Sequence, residues 1–190
     1  MSIEVSVTNL EAVQKAFKDQ PKKIGLILAR AVNRSTANVK SNMAKKAREN
    51  YLVASAAVKS TIDITKASST NPSARVRSVG QKISESKFKI SPTEPRPANP
   101  PKAGYKVQIR RDSGLKVVPH GFLARMESGH LGMFMRKTDA RFPIKELKGP
   151  AIPEMIGRKN TMQFIEDEAT KMLNSRVEHE LQRELGARKK

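Results

Sequence analysis

A chain of 190 residues with 37 Lys and Arg against 18 Asp and Glu, a formal charge of +19, has room for one core of ordinary size and a field that draws polyanions toward it. The absence of cysteine excludes disulfide frameworks, thiolate metal sites and cysteine nucleophiles. Apolar runs are too short for a bilayer span, and MSIEVSVTNL has no basic cluster ahead of an apolar stretch, so neither a membrane segment nor a secretory signal is expected.

With aromatic residues at 4% and no Trp, the interior has to be filled by Met, Leu, Ile and Val, and so lean a core points to stability shared with partners. Residues 1–150 hold 29 basic and 11 acidic side chains whereas 151–190 hold 8 and 7, so the positive excess lies in the first three quarters. Two readings of that excess stand: a solubilising surface, or a face for nucleic acid or an acidic protein.

Within residues 1–20, Ile3, Val5 and Val7 alternate with Glu4, Ser6 and Thr8 as a half-buried strand does, and Asn9 offers a cap for a short helix through Phe17. Asp19 or Gln20 near the N-cap and Pro21 in the first turn, where its missing donor costs nothing, open a long helix. Ile24, Ile27, Leu28, Ala31, Val32, Ser35, Val39 and Met43 recur at helical spacing as far as about Tyr51. Lys23, Arg30, Arg34, Lys45 and Arg48 fall in a narrow sector beside that stripe, and Glu49 is the only acid of the segment. A solvated helix face usually interleaves opposite charges at i,i+4 for about 0.2–0.5 kcal/mol per pair. This one forgoes nearly all of them, which sets a polyanion-facing role against the plainer reading of a solvated face.

Leu52–Ser60 either resumes the helix after a break or begins a second one, closing the helical region 21–60. Ile62 to Thr65 and Ala74 to Val79 alternate as strands around Ala67–Pro72, a turn or mobile loop by composition, so 62–80 reads as a β-hairpin. Ile83 to Ile90 adds a third strand with Phe88 and Ile90 on one face. Five prolines in Ser91–Pro101 force extended, polyproline-like geometry. The segment 91–103 is then a stiff arm or long loop that either connects or lies on a neighbouring subunit. Tyr105, Val107 and Ile109 alternate with Lys106, Gln108 and Arg110 as a strand, and Arg110–Gly114 closes it with a turn before Lys116–Val118.

Residues 119–155 carry the densest apolar and aromatic material. Phe122–Met126 and Gly132–Arg136 read as the arms of a β-hairpin turned by Ser128-Gly129-His130, since Gly accepts the positive φ of a tight reversal. Pro143, Pro150 and Pro153 then rule out a regular helix, leaving an extended arm or edge segment whose Phe142, Ile144, Leu147 and Ile152 drop into a surface at intervals. Asn160 with Gln163 forms a plausible capping box for a final helix over 160–186, with Gly186 as stop. Its stripe runs Met162, Ile165, Ala169, Met172, Leu173, Val177, Leu181, Leu185 and is expected to pack against the long early helix or a second subunit.

Catalytic parts are missing: there is no Gly-rich phosphate loop, no nucleophile elbow and no close carboxylate pair in an apolar setting. A nuclease needs convergent acids for Mg²⁺, and the basic region offers only scattered Asp63, Asp112 and Asp139. His120, Glu127 and His130 lack the spacing that would fix a metal on one face, and His130 in its turn is expected to bond backbone groups. No catalytic residue, metal or cofactor is assigned, and the chain is expected not to be an enzyme.

Gly121-Phe122-x-Ala124, then Ser128-Gly129-His130-x-Gly132-x-Phe134-x-Arg136, then Arg141-x-Pro143-Ile144-x-x-Leu147-x-Gly149-Pro150-Ala151-Ile152, resembles the core pattern of the prophage minor tail protein Z family. The likeness extends from about residue 20 to residue 185, taking in the basic helix and the final amphipathic helix. It implies a structural tail completion protein at the head-proximal end of a phage tail, assembled in the host cytoplasm and carried in the virion. A ring, six copies by the symmetry of phage tails, is the expected assembly, with a tail terminator or tail tube protein and head connector proteins as partners.

The fold expected is thus α+β: one domain over 1–190, a mostly antiparallel sheet over 62–148, flanked by the basic N-terminal helix and the C-terminal helix, with proline-rich arms. Lys23, Arg30, Arg34, Lys45 and Arg48, with Arg110 and Arg111, are candidates for contact with genomic DNA phosphates or an acidic ring. Pro95, Pro97, Pro100, Phe142, Ile144, Leu147, Ile152, Leu173 and Leu181 are candidates for the subunit interface. The competing function is a free-standing, non-specific nucleic-acid-binding or DNA-packaging protein.

Overall fold

The apolar stripe that starts at Pro21 becomes a helix of 30 residues, α1 (Pro21–Asn50), in a computed structural model that describes residues 2–4, 14–15, 17–18 and 21–187. The stripe is buried as its spacing requires: Ile27, Leu28, Ala31, Val32, Ser35, Val39, Met43 and Ala47 all face inward. The caps expected at Asp19 or Gln20 lie outside the described residues. So does most of the short helix expected from Asn9, although residues 14–15 are helical. Strand β1 (Ser2–Glu4) forms where alternation begins at Ile3, while Val5 and Val7 lie outside the description.

Helix α4 (Lys159–Ala187) covers α1. Arg30 bonds Glu184 at 2.8 Å, Ser35 Oγ donates to the Ala169 carbonyl at 3.0 Å, and the Lys46 ammonium sits 4.0 Å from the Phe164 ring centroid. Those three contacts fix an antiparallel pair. Small residues at Ala31, Ser35 and Ala169 are fully or almost fully buried, while Ile165, Leu173 and Val177 fill the remaining space. Each large aliphatic side chain so buried contributes about 1.5–3 kcal/mol. The helix takes in Gly186, which does not adopt the positive φ of a glycine stop.

Between these helices the residues 52–60 resolve into a break and a short helix α2 (Ser55–Lys59). Strands β2 (Ile62–Thr65) and β3 (Arg75–Ser78) form the expected hairpin, and β1 adds on the far side of β3 with Ile3 opposite Val76. The inward face carries Ala74, Val76 and Ser78, so alternation points Ser78, not Val79, to the interior, where its hydroxyl lies 3.2 Å from Thr61 Oγ1. The intervening loop is pinned to α1: Asn33 bonds both backbone groups of Ala67, and a Cβ on Gly25 would come within 2.0 Å of the Ser69 carbonyl oxygen.

The single strand expected over 83–90 is instead two. A 3₁₀ turn at Glu85–Lys87 separates β4 (Lys82–Ser84) from β5 (Lys89–Ser91), and the two pair with different partners. Strand β5 joins β6 (Lys106–Gln108), which joins β7 (Lys116–Val117). Strands β8 (Gly121–Arg125) and β9 (Leu131–Arg136) make the hairpin read from the sequence, with Phe122 opposite Phe134 and Gly129 at φ +80° in the turn. The sheet over 62–148 is therefore four small antiparallel sheets, not one.

The proline-bearing segment after Phe142 is not a free extension. It supplies β10 (Ile144–Glu146) on the outer side of β9, then β11 (Lys148–Ala151) against β4, then a short helix α3 (Ile152–Ile156). Pro153 is tolerated there because it lies in the first turn, and Glu154 accepts the Ala151 N–H at 3.1 Å. The architecture is α+β, two long helices against antiparallel sheets.

Candidate binding surfaces

The end of α1 is where helix and sheet are tied, and the tie decides where several cations go. Tyr51 forms an antiparallel bridge with Arg110, Leu52 N–H donates to the Ile109 carbonyl at 2.9 Å, and Arg111 N–H donates to the Asn50 carbonyl at 3.0 Å. Arg110 and Arg111, adjacent in sequence, leave this tie in opposite directions. Arg110 makes a two-pronged contact with Asp112, whose carboxyl that hydrogen bond holds below the usual carboxylate range. Arg111 instead donates from Nε to the Arg48 carbonyl at 2.6 Å, closing the negative end of the α1 dipole.

Arg111 thereby enters an open cleft of about 420 Å³ with Lys45, Arg48 and Lys59. Among the described residues none of these four cations is in an ion pair with a carboxylate, and the one acid lining the cleft, Glu49, is held by Lys46 at 2.7 Å. Four cations within one concave wall form a focused positive site of the kind that contacts phosphates without reading sequence. The remaining members of the expected strip are elsewhere. Arg30 is paired with Glu184 and Glu180 of α4, Arg34 is exposed, and Lys23 is half-buried near the start of α1. Lys59 was not among the expected residues, because nothing local marks the end of α2 as a neighbour of Arg48.

Five of the apolar residues expected at an interface meet in one place. Pro95, Pro97, Pro100, Phe142 and Ile144 line a groove of about 660 Å³ beside β8. The proline segment is tied back to its own body, since Arg96 N–H donates to the Tyr105 hydroxyl at 2.8 Å. Phe142 remains 64% exposed. The other four candidates are accounted for by their own chain: Ile152 and Leu173 are buried in the core, and Leu147 and Leu181 are half-buried against it. Their apolar character is thus explained without a second subunit.

The histidine of the β8–β9 turn bonds a side chain, contrary to expectation. His130 Nε2 is 2.7 Å from Glu146 Oε1, its ring meets Phe134 edge-on, and Lys148 Nζ is 3.7 Å from the other Glu146 oxygen. This ties the turn to β10. Groups of three or more His, Cys, Asp or Glu residues able to hold a metal ion do not occur among the described residues, and no described helix is long and apolar enough to cross a membrane.

A family model described as prophage minor tail protein Z (GPZ) matches residues 3–188. Comparison with curated proteins and with solved structures gives no match.

Proposed function

The chain belongs to the prophage minor tail protein Z family, a component of phage tails, and from that premise we propose that it completes the tail at its head-proximal end, joining it to the head. In this reading it acts structurally, not as an enzyme, in a ring of six copies that meets a tail terminator or tail tube protein on one side and head connector proteins on the other. The observation that carries the reading beyond the family is the unpaired cluster Lys45, Arg48, Lys59 and Arg111. A protein lining the exit of a DNA-filled head has a use for such a wall, which would hold genome-end phosphates without sequence preference.

Two experiments test it. Electron microscopy of particles assembled without this chain should show complete tails and filled heads that remain unjoined. Normally joined particles would refute the placement. Titration of purified protein with duplex DNA at low salt tests the genome contact, and absence of binding would remove that part alone. The charge of +19 also suits a free-standing DNA-packaging protein. Joined particles that lack packaged DNA when the chain is absent would favour that alternative.

A further inference from the structure

The groove beside β8 has features that specify an occupant. Its wall takes consecutive residues, Phe122 through Met126, and not alternate ones. In a strand, alternate residues share a face, so a consecutive run places the groove along the strand's edge. Among the described residues β8 pairs only with β9, which leaves its other edge without a strand partner. The Met126 N–H to His130 carbonyl bond, 2.8 Å, fixes which pairs of the hairpin are hydrogen-bonded. Alternation then turns the N–H and C=O groups of Leu123 and Arg125 away from β9, toward the groove.

Charge gives the occupant's sign. Arg96, Arg125, Arg136 and Arg141 line the groove, and no carboxylate does. Among the described residues Arg125 and Arg136 bond only backbone carbonyls, Arg125 that of Gly129 at 3.2 Å and Arg136 those of Arg141 at 2.6 Å and Ala140 at 3.5 Å, and Arg136 and Arg141 stand over the Phe122 and Phe142 rings. Their guanidinium charges are therefore uncompensated while their stems and neighbouring rings form apolar walls. Nucleic acid is a poor fit for walls of proline, leucine and methionine. A second copy of a chain with charge +19 is a poor fit for four arginines.

We propose that this groove binds an extended segment of an acidic partner protein, added as a strand along β8, its apolar side chains against Phe142 and Ile144 and its carboxylates on the four arginines. The site is independent of the cationic cleft at the end of α1, and of where in the tail the chain sits.

The test uses the full chain and a synthetic ten-residue peptide of alternating valine and glutamate, with a valine–lysine peptide as its counterpart. The acidic peptide should bind, the basic one should not, and amide exchange should slow at Leu123 and Arg125 on binding. Arg96→Glu, Arg141→Glu and Phe142→Ser, all at exposed loop positions, should each weaken binding about tenfold or more, while Arg34→Glu leaves it unchanged. Failure of the acidic peptide to bind at millimolar concentration would overturn the proposal. So would equal competition by duplex DNA, or a change in the oligomeric state of the groove variants, which would make the groove a contact between copies.

Discussion

The Asn33 side-chain amide bonds both backbone groups of Ala67, donating from Nδ2 to its carbonyl at 2.9 Å and accepting its N–H on Oδ1 at 2.9 Å. One helical side chain thus does for the loop after β2 what a neighbouring strand would do. Asn33→Asp keeps the shape and the accepted bond but sets a carboxylate oxygen against a carbonyl. At pH 7 it should cost about 1–3 kcal/mol, read from the urea midpoint. Because the repulsion raises the new carboxyl's pKa in the folded state, the loss should shrink as pH falls and that oxygen becomes a donor.

Gly25→Ala should destabilise, although alanine is the better helix former by about 1 kcal/mol. The added Cβ would meet the Ser69 carbonyl oxygen at 2.0 Å, a backbone atom that can yield only by lifting the loop off α1. Thermal unfolding of the variant should show a lower midpoint. An unchanged or raised midpoint would mean that the loop's seat on the helix contributes little.

Glu146→Gln tests the tie between the β8–β9 turn and β10. Burial pushes the Glu146 carboxyl up, but hydrogen bonds from Ser84 and His130 and the charges of His130 and Lys148 outweigh it, so it titrates below the usual carboxylate range. A depressed folded-state pKa gives stability that is present above the unfolded value of 4.5 and lost as pH falls through the folded one. The substitution should therefore cost about 1 kcal/mol or less at pH 7, and nothing in acid, by denaturant titration at both pH values.

Glu85→Gln should act in the opposite sense. Burial raises the Glu85 carboxyl, and its Oε2 has no hydrogen-bond partner among the described residues. Ionisation then opposes folding, so this group's effect is least unfavourable below pH 4.5 and worsens as pH rises through the elevated folded value. A neutral amide should raise the denaturation midpoint at pH 7 and leave it unchanged in acid.

The cationic cleft makes a prediction about salt. If Lys45, Arg48 and Lys59 each neutralise a phosphate, replacing all three by Gln should weaken duplex DNA binding uniformly across sequences. It should also flatten the dependence of log affinity on log salt by about 2–3 units. Arg30, paired with Glu184, should contribute little to that slope when replaced, which a parallel titration of Arg30→Gln would check.

The parts whose geometry repeats within a few residues could be read from local spacing. The stripes of α1 and α4 were legible because a helix places i, i+3 and i+4 on one face, and Ile27, Val32, Ile165 and Leu173 are buried accordingly. The β8–β9 hairpin was legible because Gly129 marks its reversal. Long-range packing sets who neighbours whom across the chain: that β4 and β5 part at Glu85 to join different sheets, that Ile144 and Ile152 belong to a strand and a helix, and that Arg110 and Arg111 diverge. Local spacing carries no record of contacts formed between residues dozens of positions apart. Both candidate surfaces are built from such contacts, since Arg111 reaches Arg48, and Phe142 reaches Pro95, only when the chain is folded.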